Sequence, residues 1–437
     1  MILALQLLLS LSILIVLHEA GHFIPAKLFK IRVEKFYLFF DPWFSLIKKK
    51  IGDTTYGIGW LPLGGYVKIS GMVDESMDKE QLSKPPENYE FRAKPAWQRL
   101  IVMLGGVTVN VILGIVIYSI VLFNWGKETL PVSEARYGVH CDPMMYQFGF
   151  RDGDKVVALN GAAPESFHDI SKKLLLDDIR NVTIERFGKQ SIIALPEDFG
   201  QMLVDSAVRQ AFALRHPCIV DSLQIGHSAI QAGLLAGDSI VGVNQFYSPF
   251  FQDIQKQIRK NKNKTIALHV IRNGHAVNLT VPVSRKGTIG FIPKSPLTWF
   301  SKDTKHYTLA QAVPAGMSEA WGTVTDYTSQ LRFLFSKSGA QQVGGFVTFA
   351  KLFPEKWDWW AFWERTAFIS LVLAFMNILP IPALDGGHVM FLFWEMITGK
   401  AVSQRILERA QFVGMILLLG LMLYGNGMDL FRVVTGQ

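Results

Sequence analysis

The chain has 437 residues, 49% of them hydrophobic and only 18% charged. That balance, with a mean hydropathy of +0.23, points to an integral membrane protein carrying soluble parts. The net charge of +8 gathers beside apolar segments, so it reads as a topology signal and nothing in it suggests nucleic acid as a partner.

The first apolar run, 2–23, has no Lys or Arg ahead of it and no small-residue cleavage site, so it is expected to be a retained spanning helix and not a signal peptide. It ends in "LHEAGHF". Ionisable side chains at membrane depth are costly and mark function by default. On a helix His18 and His22 share a face and can present both imidazoles to one Zn²⁺, and Glu19 lies beside them as a candidate general base. The bland alternative, a polar helix end reaching interfacial water, explains one histidine better than the full trio.

Basic residues follow at Lys27, Lys30, Arg32, Lys35 and Lys48 to Lys50, with Arg92, Lys94 and Arg99 before the next apolar run. The stretch "TTYGIGWLPLGGYVKISG" (54–71) breaks short apolar pieces with glycines, as in a β-hairpin. The second apolar run, 100–125, holds Asn110, expected as helix-packing glue, with Gly105, Gly106 and Gly114 allowing close helix approach.

The region that follows contains a repeat. "GFRDGDKVVALN" (149–160) matches "GLLAGDSIVGVN" (233–244) at an offset that continues into "SFHDI" and "FFQDI". Such a shared register is an internal duplication. Each copy predicts a Gly-Asp turn, an alternating strand, a helix opening near Asp169 or Asp253, and a hairpin. The pattern resembles PDZ domains, which bind an extended peptide by strand addition. The first copy lacks the customary Ala-Gly; the second is the better candidate for a peptide ligand. Cys141 and Cys218 fall here, and without a framework of spacings two unpaired thiols are expected. Segment 307–353 is not apolar enough to span, and part of it is expected to lie along the outer membrane surface as an amphipathic helix.

The third apolar run, 362–382, carries "NILPIPALDGG". Pro380 and Pro382 forbid a regular helix, and irregular backbone at membrane depth must line protein or a watery cavity. Asp385 follows the break and is the expected third metal ligand, although capping of the next helix is an alternative. His388 is a weaker rival. Asn377 either faces the same cavity, where it could hold substrate backbone, or joins helices. The last run, 412–424, is short and needs its flanks to span. Lys400, Arg405 and Arg409 place the third connection, like the first, on the cytoplasmic side, leaving both termini and the 126–360 region outside.

"HEAGH" and "NILPIPALDGG" resemble the two signature motifs of site-2 proteases, the intramembrane zinc metalloproteases, and the order of segments resembles their bacterial regulator-of-sigma-E type. The resemblance implies that His18, His22 and Asp385 hold zinc, that Glu19 is the base, and that Asn377 handles substrate. It also implies that the 54–71 loop dips into the bilayer and pairs with unwound substrate, with Gly64, Gly65 and Tyr66 as candidate contacts. The PDZ pair would filter substrates, which would be single-span proteins such as membrane anti-sigma factors, or signal-peptide remnants, in a bacterial inner membrane. Val107 stands where this type usually has proline.

The expected fold is thus a polytopic α-helical membrane protein: four transmembrane helices, a membrane-associated β-loop, and two extracytoplasmic PDZ-like α+β domains. Its segments are 1–26, 27–98 (the loop), 99–125, 126–205 and 206–290 (the repeats), 291–360, 361–384, 385–409 and 410–428. An anchored non-catalytic receptor and a transporter component remain the alternative classes, the latter because broken helices also mark ion paths.

Overall fold

The computed structural model describes residues 2–62, 64–72, 85–208, 210–334 and 336–435. Residue 63 and residues 73–84 of the expected loop region, and residue 335 of the expected surface helix, lie outside the described residues. The chain divides into two compact units, one of residues 1–126, 306–336 and 340–437, the other of 127–305 with 337–339.

The first unit opens with helix α1 (Ile2–Leu28), then strands β1 (Val33–Leu38), β2 (Ile47–Ile51), β3 (Thr54–Ile58) and β4 (Tyr66–Ile69). Helices α2 (Ala96–Trp125), α3 (Leu309–Leu334), α4 (Trp359–Ile378), α5 (Asp385–Thr398) and α6 (Gln404–Thr435) complete the labelled elements. Among the described residues four helices, α1, α2, α4 and α6, are long and apolar enough to cross a membrane. Their outward faces fit that role: Ile112, Val116, Ile120 and Phe123 on α2 and Ile416, Leu417, Leu419 and Leu423 on α6 are exposed. In water such continuous apolar stripes would be a liability.

The helix ends differ from the apolar runs for local reasons. The helix α6 extends well beyond 412–424 on both sides, because strong helix formers such as Arg405, Leu407, Glu408 and Ala410 continue it. The helix α4 instead stops at Ile378, with Leu379 already extended at ψ 141°. A residue that precedes proline is pushed out of the helical region. The connection after the break is itself helical over α5.

Glycine sets the tightest crossings. A Cβ on Gly105 of α2 would lie 1.9 Å from the Gly21 carbonyl oxygen of α1, and one on Gly21 would lie 2.5 Å from that of Gly105. Only glycine at both positions lets the two backbones meet. Farther along α2, Gly114 receives Leu371 of α4, and Ile117, Tyr118 and Val121 pack with Ala320, Ala367 and Leu371. The 309–334 stretch is therefore one long helix with a face packed on α2 and α4: the Tyr118 hydroxyl meets Thr323 at 3.2 Å, and Tyr327 meets the Phe375 ring edge-on.

The four strands form one sheet in the order β2-β3-β1-β4. β1 runs parallel to β3 and antiparallel to β4, with Tyr37 opposite Tyr66. The outer strand β2 exposes all five residues, including Lys48, Lys49 and Lys50. At the tip, Trp43 and Phe44 stack on Trp60, and Trp43 is 91% exposed.

In the second unit the duplication reappears bond for bond. Each copy has a strand (Lys155–Leu159; Ser239–Val243), a helix (Phe167–Leu176; Phe251–Lys260) and a hairpin (Asn181–Arg186 with Lys189–Ala194; Thr265–Arg272 with His275–Pro282). The aspartate of each Gly-Asp turn is buried and paired to an arginine at the end of the first hairpin strand, Asp154 to Arg186 at 2.6 Å and Asp238 to Arg272 at 2.7 Å. The asparagine closing each strand takes a left-handed conformation, φ 47° at Asn160 and 55° at Asn244, and its side-chain oxygen accepts a backbone N–H of the hairpin, from Asn181 and Ala267. Each copy buries its own apolar core.

Cys141 and Cys218 are free and buried, one in each core, in line with the unpaired thiols expected. Burial pushes both thiols well above their usual range. A maleimide at pH 8 is therefore expected to label the native protein at least about a hundredfold more slowly than the denatured chain. Equal rates would show that the two cores open to solvent.

Candidate active site

The helix α1 carries His18, Glu19 and His22 in its second half. A spacing of four brings the two imidazoles to one face, with ring centroids 4.9 Å apart. The break after α4 supplies the third group. The chain turns through residues 379–384, held by bonds from the Ile381 N–H to the Leu379 carbonyl (2.7 Å) and from the Leu384 N–H to the Ile381 carbonyl (3.1 Å). Asp385 is then the first residue of α5. The two glycines after it allow the fold-back. A Cβ on Gly386 would sit 2.2 Å from the Leu379 oxygen, and one on Gly387 would sit 2.7 Å from that of Ile381. From the other side α6 closes on the break: a Cβ on Gly414 would meet the Pro382 oxygen at 1.8 Å, and Gln411 Oε1 accepts the Ala383 N–H.

Three donor atoms converge. His18 Nε2 lies 3.4 Å from Asp385 Oδ2, His22 Nε2 lies 3.3 Å from the same oxygen, and the two Nε2 atoms are 3.3 Å apart. Among the described residues these are the His, Cys, Asp and Glu side chains grouped closely enough to hold a metal ion. A tetrahedral ion with bonds of about 2.0–2.1 Å requires donor–donor edges of about 3.3–3.4 Å. Both the edges and the donor set, two imidazoles and a carboxylate, fit zinc. Asp385 Oδ2 is buried, and among the described residues the two imidazole nitrogens are what it faces.

The surroundings orient the rings. His22 Nδ1 lies 2.8 Å from the Val102 carbonyl of α2; donating its proton there leaves the Nε2 lone pair facing the triangle. His18 Nδ1 lies 3.2 Å from the Asn110 amide, two helical turns farther along α2. Between them, a Cβ on Gly106 would lie 2.4 Å from His22 Nε2 and 2.6 Å from His18 Cε1. The Val102–Gly106–Asn110 face thus cradles both rings.

A cavity of about 720 Å³ opens on this site, and His18, Glu19, His22, Asn377, Asp385, Gly65 and Tyr66 all line it. Asn377 Nδ2 approaches His18 Nε2 to 3.4 Å. Gly65 is fixed by crowding, since its Cβ would meet Ile15 at 2.5 Å and the Tyr37 oxygen at 2.7 Å. Gly64 is not among the lining residues; it sits against the Phe40 ring instead. His388 lines the wall but is not one of the triangle. Lys68 and Asp41, which the sequence did not single out, also face the cavity, as does Lys35, read from the sequence only as a topology charge; the Tyr66 hydroxyl donates to Asp41 Oδ1 at 2.7 Å.

The model of peptidase family M50 matches residues 6–421. The chain belongs to that family. It is a membrane-bound zinc metalloendopeptidase of the site-2 protease type. Similar chains include the regulator of sigma-E protease RseP of Escherichia coli K12, 28% identical over 445 residues that cover 97% of this chain and 96% of that protein. Protease RseP of Yersinia pestis is 27% identical over 446 residues, again 97% and 96%. A Xylella fastidiosa protein named as a zinc metalloprotease is 27% identical over 442 residues, covering 94% of this chain and 95% of its own. For an M50 peptidase the HExxH helix and the aspartate after the Pro-x-Pro break are where the chemistry was sought from the sequence, and they are where the donor triangle lies.

Proposed function

We propose that this peptidase hydrolyses peptide bonds in or near the transmembrane segments of single-span membrane proteins, with His18, His22 and Asp385 as the zinc ligands and Glu19 as the base. The observation that carries the reading is the donor triangle at the end of a membrane-length helix. Bound there, zinc supplies Lewis-acid activation of water and of the scissile carbonyl. Glu19, in the cavity beside the triangle, takes the proton of the attacking water and hands it to the leaving amine. Asn377 holds substrate backbone. Helical substrate hides its carbonyls, so it must unwind first; Gly65 and Tyr66 lie beside and on β4, the last strand in the sheet order among the described residues, and offer a strand for it to pair with. Gly64 shapes that strand through Phe40. The exposed Trp43 and Phe44, stacked on the half-buried Trp60, support a loop that dips into the bilayer.

The two repeats of the second unit act as PDZ domains outside the membrane, the second with a peptide ligand, and they filter substrates by size. The basic residues flanking the spans support that orientation in a bacterial inner membrane. The name of the Escherichia coli relative ties it to a sigma factor, which makes membrane anti-sigma factors the first substrates to try, with signal-peptide remnants second. The test is cleavage of single-span peptides by the protein in liposomes, with cut sites mapped by mass spectrometry. Cuts in or beside the span, stopped by a zinc chelator and restored by zinc, are expected. Cleavage confined to soluble peptides would overturn the reading.

A further inference from the structure

We infer that Asn110 is a positioning residue for the zinc site: its side-chain oxygen accepts the Nδ1 proton of His18 and so fixes the tautomer that offers Nε2 to the metal. This rests on the zinc reading above. Asn110 is 1% exposed. Its Nδ2 stands 3.2 Å from His18 Nδ1, while its Oδ1 is buried with no hydrogen-bond partner among the described residues. An imidazole that gives Nε2 to a metal carries its proton on Nδ1. In that state two N–H groups would face each other across 3.2 Å. The two ends of an amide have nearly the same shape, so a half-turn about the Cβ–Cγ bond exchanges them in place. The Asn110 oxygen then receives the His18 proton, and an acceptor otherwise without a donor gains one.

The neighbouring histidine shows the same arrangement already made, with Nδ1 on the Val102 carbonyl at 2.8 Å. One helix face, four residues to the step, therefore serves both ligands. The role is separate from helix packing, because the Asn110 backbone carbonyl is anchored independently by the Ser370 hydroxyl at 2.8 Å. A buried amide used only as glue would not aim at the far side of a metal-ligand ring. Partners of this kind typically change metal affinity by about 10–100-fold when lost.

The test is zinc affinity of the full chain in detergent, by competition with a chromophoric chelator, together with the visible spectrum of the cobalt form. Asn110→Leu, which has no acceptor, should bind zinc about 10–100-fold more weakly and alter the cobalt bands. Asn110→Asp keeps an acceptor at the same place and should stay within about threefold of the unmodified chain, with its bands. Undiminished affinity in Asn110→Leu overturns the proposal, and so does an Asp variant as weak as the Leu one. If the Leu variant does not fold, the Asp variant decides alone, since packing glue would not tolerate a buried charge while keeping the metal. His22→Ala serves as the control: retention of zinc there would sink the zinc assignment itself, whatever the Asn110 variants do.

Discussion

Glu19→Gln is expected to slow peptide hydrolysis by about 10²–10⁴-fold while one zinc per chain stays bound. Glutamine keeps the size of the side chain and removes only its capacity to accept a proton. Glu19 lines the cavity but is not a member of the donor triangle, so the metal should not notice the change. Asp385→Ala makes the opposite separation. Structural zinc sites in zinc-finger peptides contribute about 10–16 kcal/mol; on that scale, losing one of three protein ligands here should cost about 4 kcal/mol, roughly a thousandfold in affinity. Both variants would lose most of their activity, one with zinc bound and one with its zinc site weakened. Elemental analysis after gel filtration, beside the liposome cleavage assay, reads the two properties independently. Zinc lost from Glu19→Gln would make Glu19 a ligand, and zinc retained in Asp385→Ala would remove the third corner of the site.

What could be read from the sequence divides along a physical line. His18, Glu19 and His22 were legible because helical geometry alone relates residues three and four apart. Asp385 was legible because two prolines in an apolar run announce a break that must serve a cavity, and the break does deliver that residue. The duplicated Gly-Asp turns were legible as a register, and the structure explains the register by the paired Asp154–Arg186 and Asp238–Arg272 bonds. What stayed hidden depends on which helix faces which. Nothing local to Val102 says that its carbonyl receives His22, and Gly106 reads equally as a generic helix contact or as the floor of a metal site. Asn110 was expected as packing glue for the same reason: a single chain does not say what lies opposite a polar residue. The spacing of four across Val102, Gly106 and Asn110 was the available signal, and it means something only once the HExxH helix is known to cross there. The helix α6 takes in the flanks that the short 412–424 run was expected to need, and composition rather than hydropathy sets where it ends.

Gly106→Ala is the second large effect, and it tests that hidden layer. The new Cβ would stand 2.4 Å from His22 Nε2, 2.6 Å from His18 Cε1 and 2.8 Å from His18 Nδ1, so something must move. The helix cannot retreat, because one residue earlier Gly105 and Gly21 hold the two backbones in contact. The rings cannot easily yield either, since His22 is tied to Val102 and both face Asp385. Close packing converts such a clash into displaced side chains, and here the displaced groups are two of the three donors. Zinc affinity is expected to fall at least about a hundredfold, and peptide cleavage to background. Gly420→Ala on α6 is the matched control. Among the described residues nothing lies within 4 Å of its Cβ, and alanine in a helix interior is favoured over glycine by about 1 kcal/mol, so that variant should keep zinc and activity. A Gly106→Ala protein that still bound zinc as tightly as its Gly420→Ala counterpart would mean that α2 does not press on the histidines. The cradle along Val102, Gly106 and Asn110 would then have no part in holding the metal.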